Sequence, residues 1–239
     1  MVVLMSLSLI GIIFICQIRL VLADNTLTEQ AEDWQISKTQ DNITLYTRQI
    51  DTSDFSAFKS EAIMELSIES IFAVISDPTS CPLWVDDCLR SSSYTPKNED
   101  TPQFKNRHGY ALSHLPWPFK NRDIIVNIVT SNNPITNEIV ITMTADKNLV
   151  SENKDAVHIK RSQAKYILRP INKNQTKFIW MQHTEPAGGL PAWLVNSMII
   201  DLPLKSTIKL QKVAKQKKYQ DALIEFDSQK LIQGLKFRD

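Results

Sequence analysis

The chain has 239 residues, of which 43% are hydrophobic and 22% are charged. These fractions are ordinary for a folded globular protein, and the length fits one domain with an ample core. The chain has 27 lysine and arginine residues and 26 aspartate and glutamate residues, so its net charge is close to zero. Net charge therefore does not favour nucleic acid as a partner. The four histidines lack metal-ligand spacing and the five glycines form no phosphate-binding loop. We therefore predict no metal and no cofactor.

The N-terminal segment has the pattern of an export signal. An almost unbroken apolar run from Val2 to Cys16 precedes Val21, Leu22 and Ala23, which fits an apolar region followed by a small-residue cleavage site. We predict a signal peptide over 1–23 and a single domain over 24–239, either periplasmic or secreted. The alternative is an uncleaved anchor, although the run is short for a span of about 20 residues.

Two cysteines remain after the predicted signal. Cys81 and Cys88 would reside in an oxidising compartment, where disulfides persist. Their spacing permits a small disulfide loop if a turn brings them together. Two free thiols are the alternative.

The predicted elements follow in chain order. Strands over 44–48 and 55–64 precede a helix that begins after the N-cap Ser67 and ends at Asp77, and residues 84–88 form a short helix or turn. An antiparallel meander follows, with one apolar face. Its strands are predicted over 89–94, 103–115, 122–130, 137–145, 158–171 and 175–184.

The chain is predicted to end in a long helix that begins at Pro191 and is kinked or interrupted at Pro203. After Pro203, an apolar-to-small stripe is predicted at Leu204, Thr207, Ile208, Gln211 and Ala214. Lys205, Lys209 and Lys212 lie on a different side of the helix. They are a candidate surface for docking on anionic lipid membranes. The alternative is a solubilising helix face.

Three motifs carry a resemblance to a known family. The motifs are residues 115–123 (LPWPFKNRD), residues 185–196 (EPAGGLPAWLVN), and Ser76-Asp77-Pro78 followed by Trp84 and Cys88. Their order and spacing are those of the family. In these motifs the chain resembles the START family of lipid-transfer domains, over nearly all of 24–239. The resemblance implies an α+β helix-grip fold, in which a curved antiparallel sheet is closed over an apolar tunnel by the C-terminal helix.

The resemblance also implies binding, and transfer between membranes, of one phospholipid, sterol or fatty-acid-like ligand, by an expected monomer without catalysis. Strand alternation places Arg122 on the same face as Ile124, Val126 and Ile128. The candidate ligand-binding residues are Trp84, Tyr110, Trp117, Arg122, Ile124, Val126, Ile128, Trp180, His183, Trp193, Leu194, Met198 and Leu202.

Several of these residues have alternative interpretations. Trp117 and Trp193 could be core packing, and Arg122 could form an ion pair with a carboxylate near the sheet edge instead of binding a ligand head group. Some sterol-binding members of the family place a buried charged pair at positions that correspond here to Gly109 and Ile128. The absence of that pair predicts a more apolar tunnel.

A cavity enzyme of the cyclase or hydrolase type is the alternative function. His183 near Glu185, or Arg107 and His108 near Tyr110, would then supply acid–base groups. Solvated strand ends are the simpler interpretation of both sets. A third hypothesis is a sensor, in which a partner recognises the state of the C-terminal helix that closes the tunnel. It has no specific support in the sequence.

Overall fold

The structure is a computed structural model that describes residues 27–96, 103–149, 151 and 153–237. The predicted signal peptide over 1–23 lies outside these residues. The helices are α1 (Ile68–Ser76), α2 (Cys81–Trp84), α3 (Ala192–Ala214) and α4 (Lys217–Gln220). The strands are β1 (Gln35–Gln40), β2 (Ile43–Arg48), β3 (Ala57–Met64), β4 (Cys88–Tyr94), β5 (Asn106–Ser113), β6 (Asn121–Asn132), β7 (Ile139–Ala145), β8 (Ala156–His158), β9 (Arg161–Asn172), β10 (Gln175–Glu185), β11 (Ala222–Phe226) and β12 (Ile232–Phe237).

The predicted α+β helix-grip fold is confirmed. Nine strands form one open antiparallel sheet in the order β1-β2-β3-β10-β9-β7-β6-β5-β4, and the short β8 adds to β6 in parallel. Pairing registers place Phe58, Trp180 and Tyr166 on one face, together with Ile128 and Gly109. We call this the inner face, because α1, α2 and α3 pack on it.

The long helix α3 covers the inner face along one stripe. Leu204, Thr207, Leu210 and Ala214 are buried, at the spacing of one helix face. The hydroxyl groups of Thr207 and Ser60 lie 3.3 Å apart, which joins the helix to β3. The predicted stripe was therefore right at Leu204, Thr207 and Ala214. It was wrong at Ile208 and Gln211, which are not buried. Ser206 and Val213, on the other side of the stripe, are buried instead.

Two expectations about the elements were wrong, and one strand was missed. Of the kink or interruption expected at Pro203, the interruption is absent, because α3 continues to Ala214. The helix α3 is not the last element, since β11 and β12 form a hairpin after it. The predicted strand over 158–171 is two strands, β8 and β9, with different partners. The edge strand β1 had not been predicted, because its side chains are mostly exposed and carry no apolar alternation.

A disulfide joins Cys81 to Cys88, with the two Cα atoms 5.9 Å apart. It ties the start of α2 to the start of β4 and so fixes the segment that carries Trp84. Within the described part of the chain, no helix is long and apolar enough to cross a membrane.

Candidate functional site

The packing of the helices on the inner face leaves two cavities. The first cavity has a volume of about 130 Å³ and lies between residues 75–85, which include α2, and the inner side of β4, β5, β6 and β7. The second cavity has a volume of about 140 Å³ and lies under the N-terminal half of α3, where Val195, Met198, Ile199 and Leu202 face it. A recess of about 60 Å³ lined partly by the same residues extends the second cavity towards Ser56.

Four aromatic side chains, which we call the aromatic wall, lie in the core beside the two cavities. Trp180 is central: its ring centroid lies 5.0 Å from Phe58, 5.7 Å from Trp84 and 5.5 Å from Tyr166. Trp84 and Tyr166 line the first cavity, whereas Phe58 lines the second. The wall therefore divides the interior into two parts, and its edge-to-face contacts stabilise that division.

Arg122 holds the two loops beside the second cavity. Its guanidinium donates hydrogen bonds to the carbonyl oxygens of Pro186 (2.6 Å), Lys120 (2.5 Å) and Ala187 (2.9 Å), and burial lowers its pKa. Among the described residues its partners are carbonyl oxygens, so the alternative of an ion pair with a carboxylate was wrong. Contact with a ligand head group stays a prediction, since Arg122 also lines the second cavity. The arginine instead ties loop 114–120 to loop 186–191, and we call these two segments the mouth loops.

Trp117 and Trp193 are both exposed beside this tie. Trp117 lies in the first mouth loop with 91% of its surface exposed, and Trp193 lies in the first turn of α3 with 73% exposed. Neither residue packs in the core, and neither lines a cavity. Leu115, Pro186 and Leu190 from the same loops do line the second cavity. The two indoles therefore flank the end of the interior that the mouth loops close.

Three residues that line the first cavity carry buried polar atoms that lack partners. Ser76 Oγ, Trp84 Nε1 and Ser91 Oγ are out of contact with water and have no hydrogen-bond partner among the described residues. Arg107 also lines this cavity. Its guanidinium donates to Phe104 O and to Thr130 Oγ1 (3.4 Å) and lies over the Phe104 ring. Burial lowers the pKa of Arg107.

Asp87 is the acidic residue of the second cavity. Burial beside the apolar lining raises its pKa from 3.8 to about 6. A backbone hydrogen bond opposes that rise, the charge of Asp86 adds to it, and His114 lowers the pKa again. Around neutral pH the carboxyl group is therefore ionised at an energetic cost to the folded state.

The structure distributes the predicted ligand-binding residues unevenly. Trp84, Tyr110, Val126 and Ile128 line the first cavity, and Arg122, Met198 and Leu202 line the second. The others line neither of these two cavities: Trp117, Ile124, Trp180, His183, Trp193 and Leu194. Sequence reasoning missed Phe58 and Tyr166, and it named Arg107 only for the alternative cavity enzyme. Val195 and Ile199 were also missed, although their helical spacing to Met198 and Leu202 could have identified them.

The two candidate acid–base sets differ in their surroundings. His183 Nε2 donates to the carbonyl oxygen of Phe55 at 3.1 Å, while Glu185 pairs with Arg161. Arg107, His108 and Tyr110 all line the first cavity, and His108 Nε2 lies 3.3 Å from Asp146. No group of His, Cys, Asp and Glu side chains within the described ranges could hold a metal ion.

The lysines of α3 are partly neutralised by a neighbouring acid. Lys209 Nζ lies 2.5 Å from Asp86, and Lys205 Nζ lies 3.8 Å from the same carboxylate. All three predicted docking lysines are on the surface of the helix, but two of them share this one counter-charge.

Comparisons with known proteins identify a family and solved structures of similar fold. A family model described as START domain matches residues 21–205. An uncharacterised protein of Pseudomonas aeruginosa is 24% identical over 187 residues, which cover 78% of this chain and 89% of that protein. The STAR-related lipid transfer protein of Xanthomonas axonopodis has a TM-score of 0.68 at 20% identity, covering 77% of this chain and all of that one. Human STARD10 has a TM-score of 0.67 at 18% identity, covering 78% and 74% of the two chains.

We expect Gly188→Ala to destabilise the fold more than Gly189→Ala. Both glycines have positive φ (68° and 65°), so alanine strains the backbone by about 1 kcal/mol at either position. A Cβ at Gly188 would also lie 2.9 Å from the Arg122 guanidinium, whereas a Cβ at Gly189 meets nothing within 4 Å. Displacing the guanidinium should cost about 1 kcal/mol more. Urea unfolding measures the free energy of unfolding of both variants. Equal losses of stability would contradict the role of Arg122 in joining the two mouth loops.

We expect Asp87→Asn to gain stability relative to the wild type as the pH rises. Because the folded-state pKa is raised to about 6, the wild type loses stability between about pH 4 and about pH 7, by at most roughly 3 kcal/mol. The amide cannot ionise, so this loss should vanish. Urea unfolding across that range tests it, with Asp51→Asn in an exposed turn as the control. A difference independent of pH would show that burial does not act on this carboxyl group.

Proposed function

Because this chain belongs to the START domain family, whose fold binds lipids, we propose that it binds one lipid or similar apolar ligand and carries it between membranes without chemistry. The observation that carries this proposal is the unfilled space under α3 and α2, on both sides of the aromatic wall. Apolar side chains form most of its lining. Each square ångström of ligand surface buried there would contribute about 25 cal/mol.

The size of the interior limits the ligand. Ligand pockets commonly span roughly 300–1,000 Å³, and each cavity here is below that range, at about 130 and 140 Å³. Rotation of the aromatic wall would join them into a space near the lower end of the range. A single-chain ligand fits this interior better than a lipid with two long chains.

The mouth loops are the proposed contact with the membrane. Tryptophan prefers the interface between water and hydrocarbon, because its ring is apolar and its N–H is polar. Trp117 and Trp193 are exposed beside the second cavity, so insertion of both would bring that cavity to the lipid surface. Lys205 and Lys209, paired with Asp86, lie roughly 18–24 Å further along α3. They would contribute less.

Export remains part of the proposal. The predicted signal peptide over 1–23 supports it, and the Cys81–Cys88 disulfide is compatible with an oxidising periplasm or extracellular space. Transfer would then take place between membranes that face that compartment.

We expect the purified protein to carry a stoichiometric lipid. Native mass spectrometry would detect it, and organic extraction would give its class, because an apolar interior retains ligand through purification. Protein unfolded in urea and then extracted serves as the control for surface-bound lipid. A protein that is empty and also takes up no lipid from vesicles would contradict the carrier function. Turnover of an added apolar compound would favour the cavity enzyme instead.

We expect the double change Trp117→Ala and Trp193→Ala to reduce vesicle binding and lipid transfer at least about tenfold, since two interfacial anchors are removed. Ile135→Ala is the matched control. Ile135 is 88% exposed but follows the far end of β6, away from the mouth loops. Vesicle flotation and fluorescent-lipid transfer measure the effect. Charge reversal of Lys205, Lys209 and Lys212 tests the lysine surface separately. If only this variant lost vesicle binding, the docking surface would lie at the lysines and not at the mouth loops.

A further inference from the structure

The unpartnered polar atoms of the first cavity define a kind of ligand group. Trp84 is 3% exposed, and its Nε1–H has no acceptor among the described residues. An indole N–H can only donate, and the serine hydroxyls of Ser76 and Ser91 can also donate. Burying such donors without partners costs free energy. If these side chains rotate towards the cavity that their residues line, a bound group with several acceptor oxygens would satisfy all three.

Arg107 supplies a positive charge at the same cavity. Among the described residues its guanidinium contacts a carbonyl, a hydroxyl and the Phe104 ring, but no carboxylate. Its fork of N–H donors has capacity left after these two hydrogen bonds. A half-buried arginine with neutral partners is most stable beside an anion.

Among the described residues, the one carboxylate that borders this cavity is already neutralised. Asp77 Oδ2 accepts from Lys218 Nζ at 2.6 Å and from Tyr219 OH at 3.0 Å. Its other oxygen accepts from the backbone and side chain of Thr79. These hydrogen bonds, Lys218 foremost, lower the pKa of Asp77 to about 2 against the opposing effect of burial. Asp77 is therefore not the missing partner of Arg107.

We propose that the first cavity binds the carboxylate of a single-chain fatty acid, with Arg107 as counter-ion and Trp84, Ser76 and Ser91 as donors. This deepens the proposed function and rests on it. The carboxylate matches a planar guanidinium fork and accepts up to four hydrogen bonds. The small cavity volume favours one chain over two.

Two fluorescent probes with the same chain test the proposal: cis-parinaric acid and its methyl ester, titrated at about pH 8, where the free acid is ionised. We expect the wild type to prefer the acid by about tenfold or more. Arg107→Gln should abolish that preference and leave ester binding unchanged. Arg161→Gln is the control for the loss of one positive charge, because the Arg161 side chain is 76% exposed and Arg161 lines neither cavity.

Trp84→Phe keeps a ring in the aromatic wall but removes the N–H donor. We expect it to weaken binding of the acid several-fold and binding of the ester less, because a hydrogen bond to a carboxylate is stronger than one to a neutral carbonyl. Urea unfolding confirms that each variant is folded. Equal wild-type affinity for acid and ester would overturn the fatty-acid proposal and leave the carrier function intact. Failure of both probes to bind would instead count against the carrier function.

Competition separates the carboxylate from a phosphate. We expect palmitic acid to displace cis-parinaric acid, and hexadecyl phosphate to do so at least about tenfold less well. Stronger displacement by the phosphate would overturn the carboxylate assignment. Equal weakening of acid and ester by Arg107→Gln would also overturn it, since that result fits a purely structural role at Phe104 and Thr130.

Discussion

The inner face of this sheet is wider than one helix can cover, and most of the architecture follows from that constraint. Nine antiparallel strands present an apolar inner surface, whereas a helix with its side chains is about 10–12 Å across. The helix α3 covers the part formed by β2 and β3, α1 and α2 cover part of the remainder, and the final hairpin packs on α1. The two cavities are the places where these covers do not meet.

The aromatic wall is what keeps the incompletely covered interior from collapsing. Large rings that contact one another edge to face hold their positions while leaving space on either side. Trp84 belongs to this wall, and the disulfide that begins at Cys81 fixes the short helix that carries it. The covalent link, the wall and the first cavity therefore form one structural unit, and a change in any of them should alter the ligand space.

The sequence predicted the parts of the fold that depend on local rules. Alternation along β6 placed Val126 and Ile128 on the inner face, and the motif around Pro191 located the start of α3. Trp117 and Trp193 could not be placed, because exposure of a loop side chain depends on tertiary contacts that no periodicity encodes. Arg107 was named only as an acid–base group of the alternative cavity enzyme and not as a ligand-binding residue. Its strand has little apolar alternation, so nothing in the sequence marks which side faces inward.

Arg107 brings a positive charge to a mostly apolar interior, at a position different from that of the charged pair in some sterol-binding members of the family. Gly109 and Ile128 face each other closely, since a Cβ at Gly109 would lie 3.0 Å from Ile128 Cδ1, so the space of a charged pair is filled by hydrocarbon. Arg107 lies two residues along β5 on the same face, and about 20 Å from Ser113 at the mouth. A ligand whose carboxylate reached Arg107 would extend its chain past the aromatic wall towards the mouth loops. Its tail would then occupy the second cavity under α3, and exchange would require movement of the helix and loops that Arg122 ties together.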